Sequence, residues 1–173
     1  MKIISIILVL LLGFISIGCD REFEGKVVDA ETDKPIEEAV VLVEWTVTKG
    51  VPGLTHTESV KVIEAITDKA GKFTITGALK HTPHVTIYKK GYVAWNNKFI
   101  FPDYKKRKDF KLENGQVFKL ERFKESFGYV AHESFITSAI NVSLGAKQKQ
   151  FFLKEYRSSE EELVIKERNR KYK

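Results

Sequence analysis

The sequence contains a single cysteine, Cys19, among 173 residues. One thiol cannot form an intrachain disulfide, and a chain without a Cys-x-x-Cys pair lacks the usual cysteine ligands of zinc and the dithiol of a redox site. These absences exclude a disulfide framework and a thiol-based metal centre. The meaning of Cys19 must therefore come from its position.

The chain also lacks the local motifs of common hydrolases and nucleotide-binding enzymes. None of its four histidines has a glutamate three places later, and no second histidine follows His132 at the spacing of a zinc-binding helix. No Gly-x-Ser-x-Gly motif occurs, and Gly71-Lys72 is followed by Phe73 rather than by the Ser or Thr of a phosphate-binding loop. His81 and His84 flank a proline without a third ligand nearby, which favours a surface loop. We therefore predict a non-enzymatic protein with no cofactor and no metal site.

Sequence spacing does not exclude a site assembled from residues that are distant along the chain. An enzyme or enzyme subunit of this kind is the alternative function. Its candidate residues are His56, His132 and Glu133. Convergence of the three side chains in one pocket is the structural test of this alternative.

The N-terminus has the pattern of an export signal. Lys2 gives a positive start, residues 3–15 form a mostly apolar run, and Gly18 precedes Cys19. The run is shorter than the roughly 20 residues of a spanning helix. The segment resembles a bacterial lipoprotein signal, which implies removal of residues 1–18 and palmitate-type acylation of Cys19. The implied location is the periplasmic side of a bacterial envelope, in either membrane, with an uncleaved N-terminal anchor as the alternative.

From Phe23 to about Leu120 the hydrophobic pattern predicts strands. Apolar residues alternate in short runs that are separated by polar turns containing Asp, Pro or Gly. In one such turn, Asp68 is expected to cap the backbone with its carboxylate while Gly71 takes a left-handed conformation. Residues 49–59 are glycine-containing and polar, and they are predicted to form a loop and a candidate binding edge. The fold class is therefore mainly β, an antiparallel β-sandwich of about seven strands.

Four motifs within this region occur in a recognisable order. They are Phe23-x-Gly25-x-Val27-x-Asp29, Lys34-Pro35-Ile36 with Ala39-Val40-Val41, Thr67-Asp68 with Gly71-x-Phe73, and Lys90-Gly91-Tyr92. Together they are similar to the carboxypeptidase regulatory-like domain, a transthyretin-like β-sandwich. The resemblance implies a non-catalytic binding or scaffolding module over residues 19–120. It implies no particular ligand, so the partner is an unknown envelope protein or glycan.

Beyond Leu120 the period changes to that of a helix. The apolar residues that share one predicted helical face are Phe123, Phe127, Val130, Ala131, Phe135 and Ala139. Ser158 or Ser159 before two glutamates has the form of a capping box for a last helix. Residues 121–173 are therefore predicted to be a C-terminal helical extension that either packs on the sandwich or projects from it.

The charge balance gives a net +6 and an isoelectric point near 9.2, from 29 basic and 23 acidic residues. Four consecutive cations stand out, Lys105, Lys106, Arg107 and Lys108, in a segment that is predicted to be an exposed turn. They are candidates for contact with an anionic lipid surface or envelope polymer. Strand alternation, with aromatic residues inward and lysines outward, is the simpler explanation. Nucleic acid is not expected as a partner of an exported protein.

Overall fold

The computed structural model describes residues 22–78, 81–108, 110–140, 152, 154–156 and 161–171. Cys19 and the predicted signal segment 1–18 lie outside the described residues, as does the predicted capping box at Ser158 and Ser159. No helix within the described ranges is long and apolar enough to cross a bilayer.

The described residues form nine strands and then helices. The strands are β1 (Phe23–Asp29), β2 (Val40–Val51), β3 (Leu54–Ile66), β4 (Lys72–Ile75), β5 (His84–Tyr88), β6 (Trp95–Asn96), β7 (Phe99–Ile100), β8 (Lys105–Lys106) and β9 (Gln116–Leu120). A 3-10 turn at Glu125–Phe127 precedes helix α1 (Tyr129–Ala139), and helix α2 (Glu161–Lys171) follows.

Seven of these strands build two sheets, with the orders β4-β1-β9 and β3-β2-β5-β6, while β7 pairs with β8. The predicted mainly β fold is confirmed. One pairing differs from the antiparallel expectation, because β9 runs parallel to β1 over Gly25–Asp29. That pairing depends on where the chain returns after β8, and the local hydrophobic pattern does not encode it.

The first half of β2, residues 40–45, is buried on both faces of the sheet. Val41, Val43 and Trp45 point into the core between the two sheets. The alternate residues Val40 and Leu42 belong to a second core on the opposite face of the same sheet. The apolar run of residues 40–43 follows from this position, because a segment covered on both sides has no solvent face that requires polar residues.

Helix α1 covers the second face of the four-stranded sheet. Its buried residues are His132, Phe135, Ile136 and Ala139. The predicted apolar face is therefore correct for Phe135 and Ala139 but wrong for Ala131, which is exposed. Phe123 and Phe127 also pack on this core, but they precede the helix, which begins only at Tyr129.

The predicted loop at residues 49–59 is wrong, because these residues continue β2 and β3 as a long hairpin. Val51 pairs directly with Leu54, so Pro52 and Gly53 form a two-residue turn, and Gly53 has a φ of 89°. Proline followed by a glycine of positive φ is the sequence preference of a type II turn. Lys49 and Glu58 form a cross-strand ion pair at 2.6 Å, which adds to the pairing of this exposed ribbon.

The predicted turn at Asp68 is confirmed in detail. The Asp68 carboxylate accepts hydrogen bonds from the backbone N–H groups of Ala70 (2.9 Å) and Lys72 (2.8 Å). Gly71 has a φ of 72°, and its carbonyl accepts a hydrogen bond from the Val27 N–H at 2.8 Å. The turn therefore connects β4 to β1 as well as to β3.

Asp29 joins the end of β1 to two later parts of the chain. Its buried carboxylate accepts hydrogen bonds from the N–H groups of Glu31 and Thr32 at 3.0 and 2.9 Å. It also accepts a hydrogen bond from the Tyr92 hydroxyl at 3.1 Å and forms an ion pair with Arg122 at 2.8 Å. Burial opposes ionisation, but the hydrogen bonds from Thr32, Glu31 and Tyr92 outweigh it and lower the pKa of Asp29 from 3.8 to about 2.

This pKa predicts a specific acid sensitivity. A carboxyl whose pKa is lower in the folded state contributes stability above the unfolded-state pKa, and the contribution is lost as the pH falls. For Asp29 this stability is expected to be lost as the pH falls from 3.8 to about 2. Urea unfolding of Asp29→Asn and of the unaltered protein should therefore differ at neutral pH and converge across this window. A difference in stability between the two proteins that does not change with pH would contradict the lowered pKa of Asp29.

Candidate basic binding site

The site is built around two buried asparagines, Asn96 and Asn97, at the turn between β6 and β7. The side-chain oxygen of Asn96 accepts hydrogen bonds from the backbone N–H groups of Lys98 at 2.8 Å and Phe99 at 3.2 Å. Its amide nitrogen donates to the Thr86 hydroxyl at 3.0 Å. Because Asn96 is buried and bonded at both ends, it fixes the turn that carries Lys98.

Asn97 fixes the loop that precedes β5. Its amide nitrogen donates to the Pro83 carbonyl at 2.8 Å, and its side-chain oxygen accepts the Val85 N–H at 2.9 Å. These two bonds hold the loop before β5 against the β6–β7 turn. Neither asparagine stands out in the sequence, because Asn97 bonds to residues twelve or more positions away and the amide nitrogen of Asn96 bonds to Thr86, ten positions away.

Arg107 lies between these elements and has a defined orientation. Its backbone N–H donates to the Lys98 carbonyl at 2.7 Å, and its Nε donates to the Asn96 carbonyl at 3.1 Å. The guanidinium carbon lies 4.7 Å from the centre of the Trp95 ring. Stacking on an aromatic ring while the terminal nitrogens stay available is a geometry that arginine adopts at anion-binding sites.

Two clefts lie beside Arg107, and both are lined by Arg107 and Phe110. The Trp95 cleft has a volume of about 670 Å³ and is lined by Trp95, Arg107, Lys108, Phe110, Lys111, Glu113, Gln116, Val117, Phe118 and Lys119. The His84 cleft has a volume of about 420 Å³ and is lined by Thr82, Pro83, His84, Asn97, Lys98, Phe99, Lys106, Arg107 and Phe110. Ligand pockets typically measure about 300–1,000 Å³, so both clefts are large enough to hold a small molecule or part of a polymer.

The structure separates the four predicted contact residues into two groups. Lys106 lines the His84 cleft, Lys108 lines the Trp95 cleft, and Arg107 lines both. Lys105 lines neither cleft; its side chain is 75% exposed and pairs with Asp103 at 3.0 Å. The prediction that the whole segment is an exposed turn is wrong for Lys105 and Lys106, which are exposed but pair with β7 as strand β8. It is also wrong for Arg107, which is half-buried on Trp95.

The cations of the site are partly desolvated. Burial lowers the pKa of the Arg107 guanidinium. Burial also lowers the pKa of the Lys98 ammonium group, against the opposing effect of the Glu44 carboxylate. Both shifts mean that the charged forms have lost some hydration, which an anionic ligand can replace.

The residues of the alternative enzymatic site do not converge. His56 is exposed on the hairpin, opposite Lys49. His132 is fully buried, and its Nε2 accepts the Ala94 N–H at 2.9 Å. Glu133 forms an ion pair with Arg168 of α2. Across the residues that the structure describes, no group of three or more His, Cys, Asp or Glu side chains could hold a metal ion.

No protein-family model matches the chain, and no curated protein matches it significantly. Among solved structures, it is similar to a variant of the shaft pilin SpaA from Lactobacillus rhamnosus GG, with a TM-score of 0.36 and 16% identity over 61% of this chain and 48% of the pilin. The C-terminal domain of the same pilin gives a TM-score of 0.35 and 20% identity, over 59% of this chain and 97% of that domain. The chain thus spans about half the length of the longer pilin structure. The resemblance to the carboxypeptidase regulatory-like domain remains a prediction from the sequence motifs.

Proposed function

We propose that the protein is a lipid-anchored, non-catalytic binding module of a bacterial envelope. In this proposal Cys19 carries the lipid, the β-sandwich is the scaffold, and the two clefts beside Arg107 are the binding surface. The observation that supports the binding function most strongly is the pair of concave clefts that share one oriented guanidinium.

In this proposal a lipid on Cys19 holds the β-sandwich close to the membrane. Only four residue steps separate Cys19 from Phe23, the first residue of β1. A fully extended chain of that length spans at most about 14 Å. The sandwich is therefore held beside the bilayer, where its partner is another envelope component.

Replacing the anchor residue gives the test of the tether. Each buried CH₂ of an acyl chain contributes about 0.8 kcal/mol to membrane binding, so loss of two or three chains should release nearly all of the protein. We expect Cys19→Ser to move from the membrane fraction to the soluble fraction, while Ser16→Ala stays in the membrane. Mass spectrometry of the N-terminal peptide measures the modification directly. An unmodified Cys19 that is still joined to Gly18 would refute the tether.

A further inference from the structure

We propose that the Trp95 cleft and the His84 cleft together bind one acidic oligosaccharide, which crosses Arg107 at the centre of the site. This inference rests on the proposed binding function and names the chemical class of the ligand. Its support comes from the charge, the shape and the lining of the two clefts.

The charge of the clefts is predominantly positive. Lys98 and Lys106 line the His84 cleft, Lys108 and Lys111 line the Trp95 cleft, and Glu113 is the single carboxylate among the described lining residues. No carboxylate within the described residues forms an ion pair with Arg107. A half-buried guanidinium of this kind binds carboxylate, sulfate or phosphate oxygens through two parallel hydrogen bonds.

The arrangement of the cations favours an elongated ligand over a bilayer surface. The two clefts share Arg107 and Phe110 in their linings, so a ligand that contacts Arg107 can extend along both. A cation that projects into solvent, such as Lys105, suits a flat surface better than Arg107 does.

The lining suits a sugar better than a bare anion. Trp95 and Phe110 are half-buried aromatic residues that pack edge to face, with ring centres 5.5 Å apart. Aromatic side chains provide rigid apolar surface against which the C–H groups of a sugar ring can pack. Thr82 adds a hydroxyl group to the His84 cleft and Gln116 adds an amide group to the Trp95 cleft, and sugar hydroxyls can bond to both.

The test uses a hexamer of galacturonic acid as the probe and its fully methyl-esterified form as the matched neutral ligand. The two share one sugar chain, and only the acid carries carboxylates. Calorimetric titration into the chain from residue 19 onward, carrying Cys19→Ser so that it has no lipid, should detect binding of the acid and not of the ester. Binding of the acid should weaken as salt is raised, because screening reduces interactions between charges near the surface.

Single substitutions locate the ligand. Lys106→Gln and Lys108→Gln should each weaken binding about fivefold and the double variant about 25-fold, because effects at separate contacts multiply in the affinity. Arg107→Lys keeps the charge but loses the planar fork, and a loss of about tenfold is expected. Lys105→Gln is the matched control, since it removes the same charge from the same segment outside both clefts and should leave binding unchanged. Thermal melting of each variant confirms that it is folded.

Each other outcome contradicts the proposal. Equal losses of affinity in Lys105→Gln and Lys106→Gln would show that the ligand is attracted to the overall charge rather than bound in the clefts. Binding to phosphatidylglycerol vesicles without binding to the acid hexamer would show that the partner is a lipid surface. Absence of binding to either probe would refute the acidic ligand class, whereas the lipid anchor is tested separately by the modification of Cys19.

Discussion

Replacing His132 by alanine is expected to lower the free energy of unfolding by about 4 kcal/mol. The His132 side chain is fully buried in the second core. Its ring centre lies 5.0 Å from that of Phe123 and 5.2 Å from that of Phe101. The substitution leaves a cavity among these rings and also removes the acceptor of the Ala94 N–H. Two separate costs therefore add at one position.

The control for this prediction is His56→Ala. His56 is exposed on the hairpin, and surface substitutions of this kind usually change stability by less than about 0.5 kcal/mol. Urea unfolding monitored by circular dichroism gives both values. Similar values for the two histidines would contradict the structural role of His132.

Gly71→Ala is the second large prediction, with an expected cost of about 3 kcal/mol. Gly71 has a positive φ of 72°, which an L-residue adopts only at a cost. A Cβ atom at this position would lie 2.4 Å from the Val27 carbonyl oxygen, which belongs to the backbone of β1 and cannot rotate away. Strain and steric overlap both act against the folded state.

Gly91 separates these two effects. It has a similar φ of 83°, but no atom of the described residues lies within 4 Å of the position that a Cβ atom would take there. Gly91→Ala should therefore cost only the conformational strain, about 1 kcal/mol. Thermal unfolding of the two variants measures the difference. Equal destabilisation would mean that the contact with Val27 has no energetic effect.

Local rules predict the parts of the fold that local interactions determine. The Asp68–Gly71 turn needs a short carboxylate and a residue with positive φ within four positions, and both are visible in the sequence. The β2–β3 hairpin is harder to predict, because Gly50, Pro52 and Gly53 suggest a loop. The β-branched residues on either side of this short turn are the signal that favours strands.

The binding site is predictable only in part. The run of cations that includes Lys106, Arg107 and Lys108 indicates the correct segment. The contact of Arg107 with Trp95 joins β6 to the residues after β8, and no spacing rule predicts such a contact. Exclusion of Lys105 from the clefts likewise depends on where β7 and β8 turn.

Side-chain NMR can show directly whether an acidic ligand binds across Arg107. The Arg107 Nε–H is hydrogen-bonded to Asn96, and the Trp95 ring lies beside it, so both groups give local signals for the site. Titration with the galacturonic acid hexamer should shift the Arg107 Nε–H and Trp95 indole signals together, with one dissociation constant, while the methyl ester shifts neither. Binding of the acid with both signals unmoved would place the ligand elsewhere and contradict binding at Arg107.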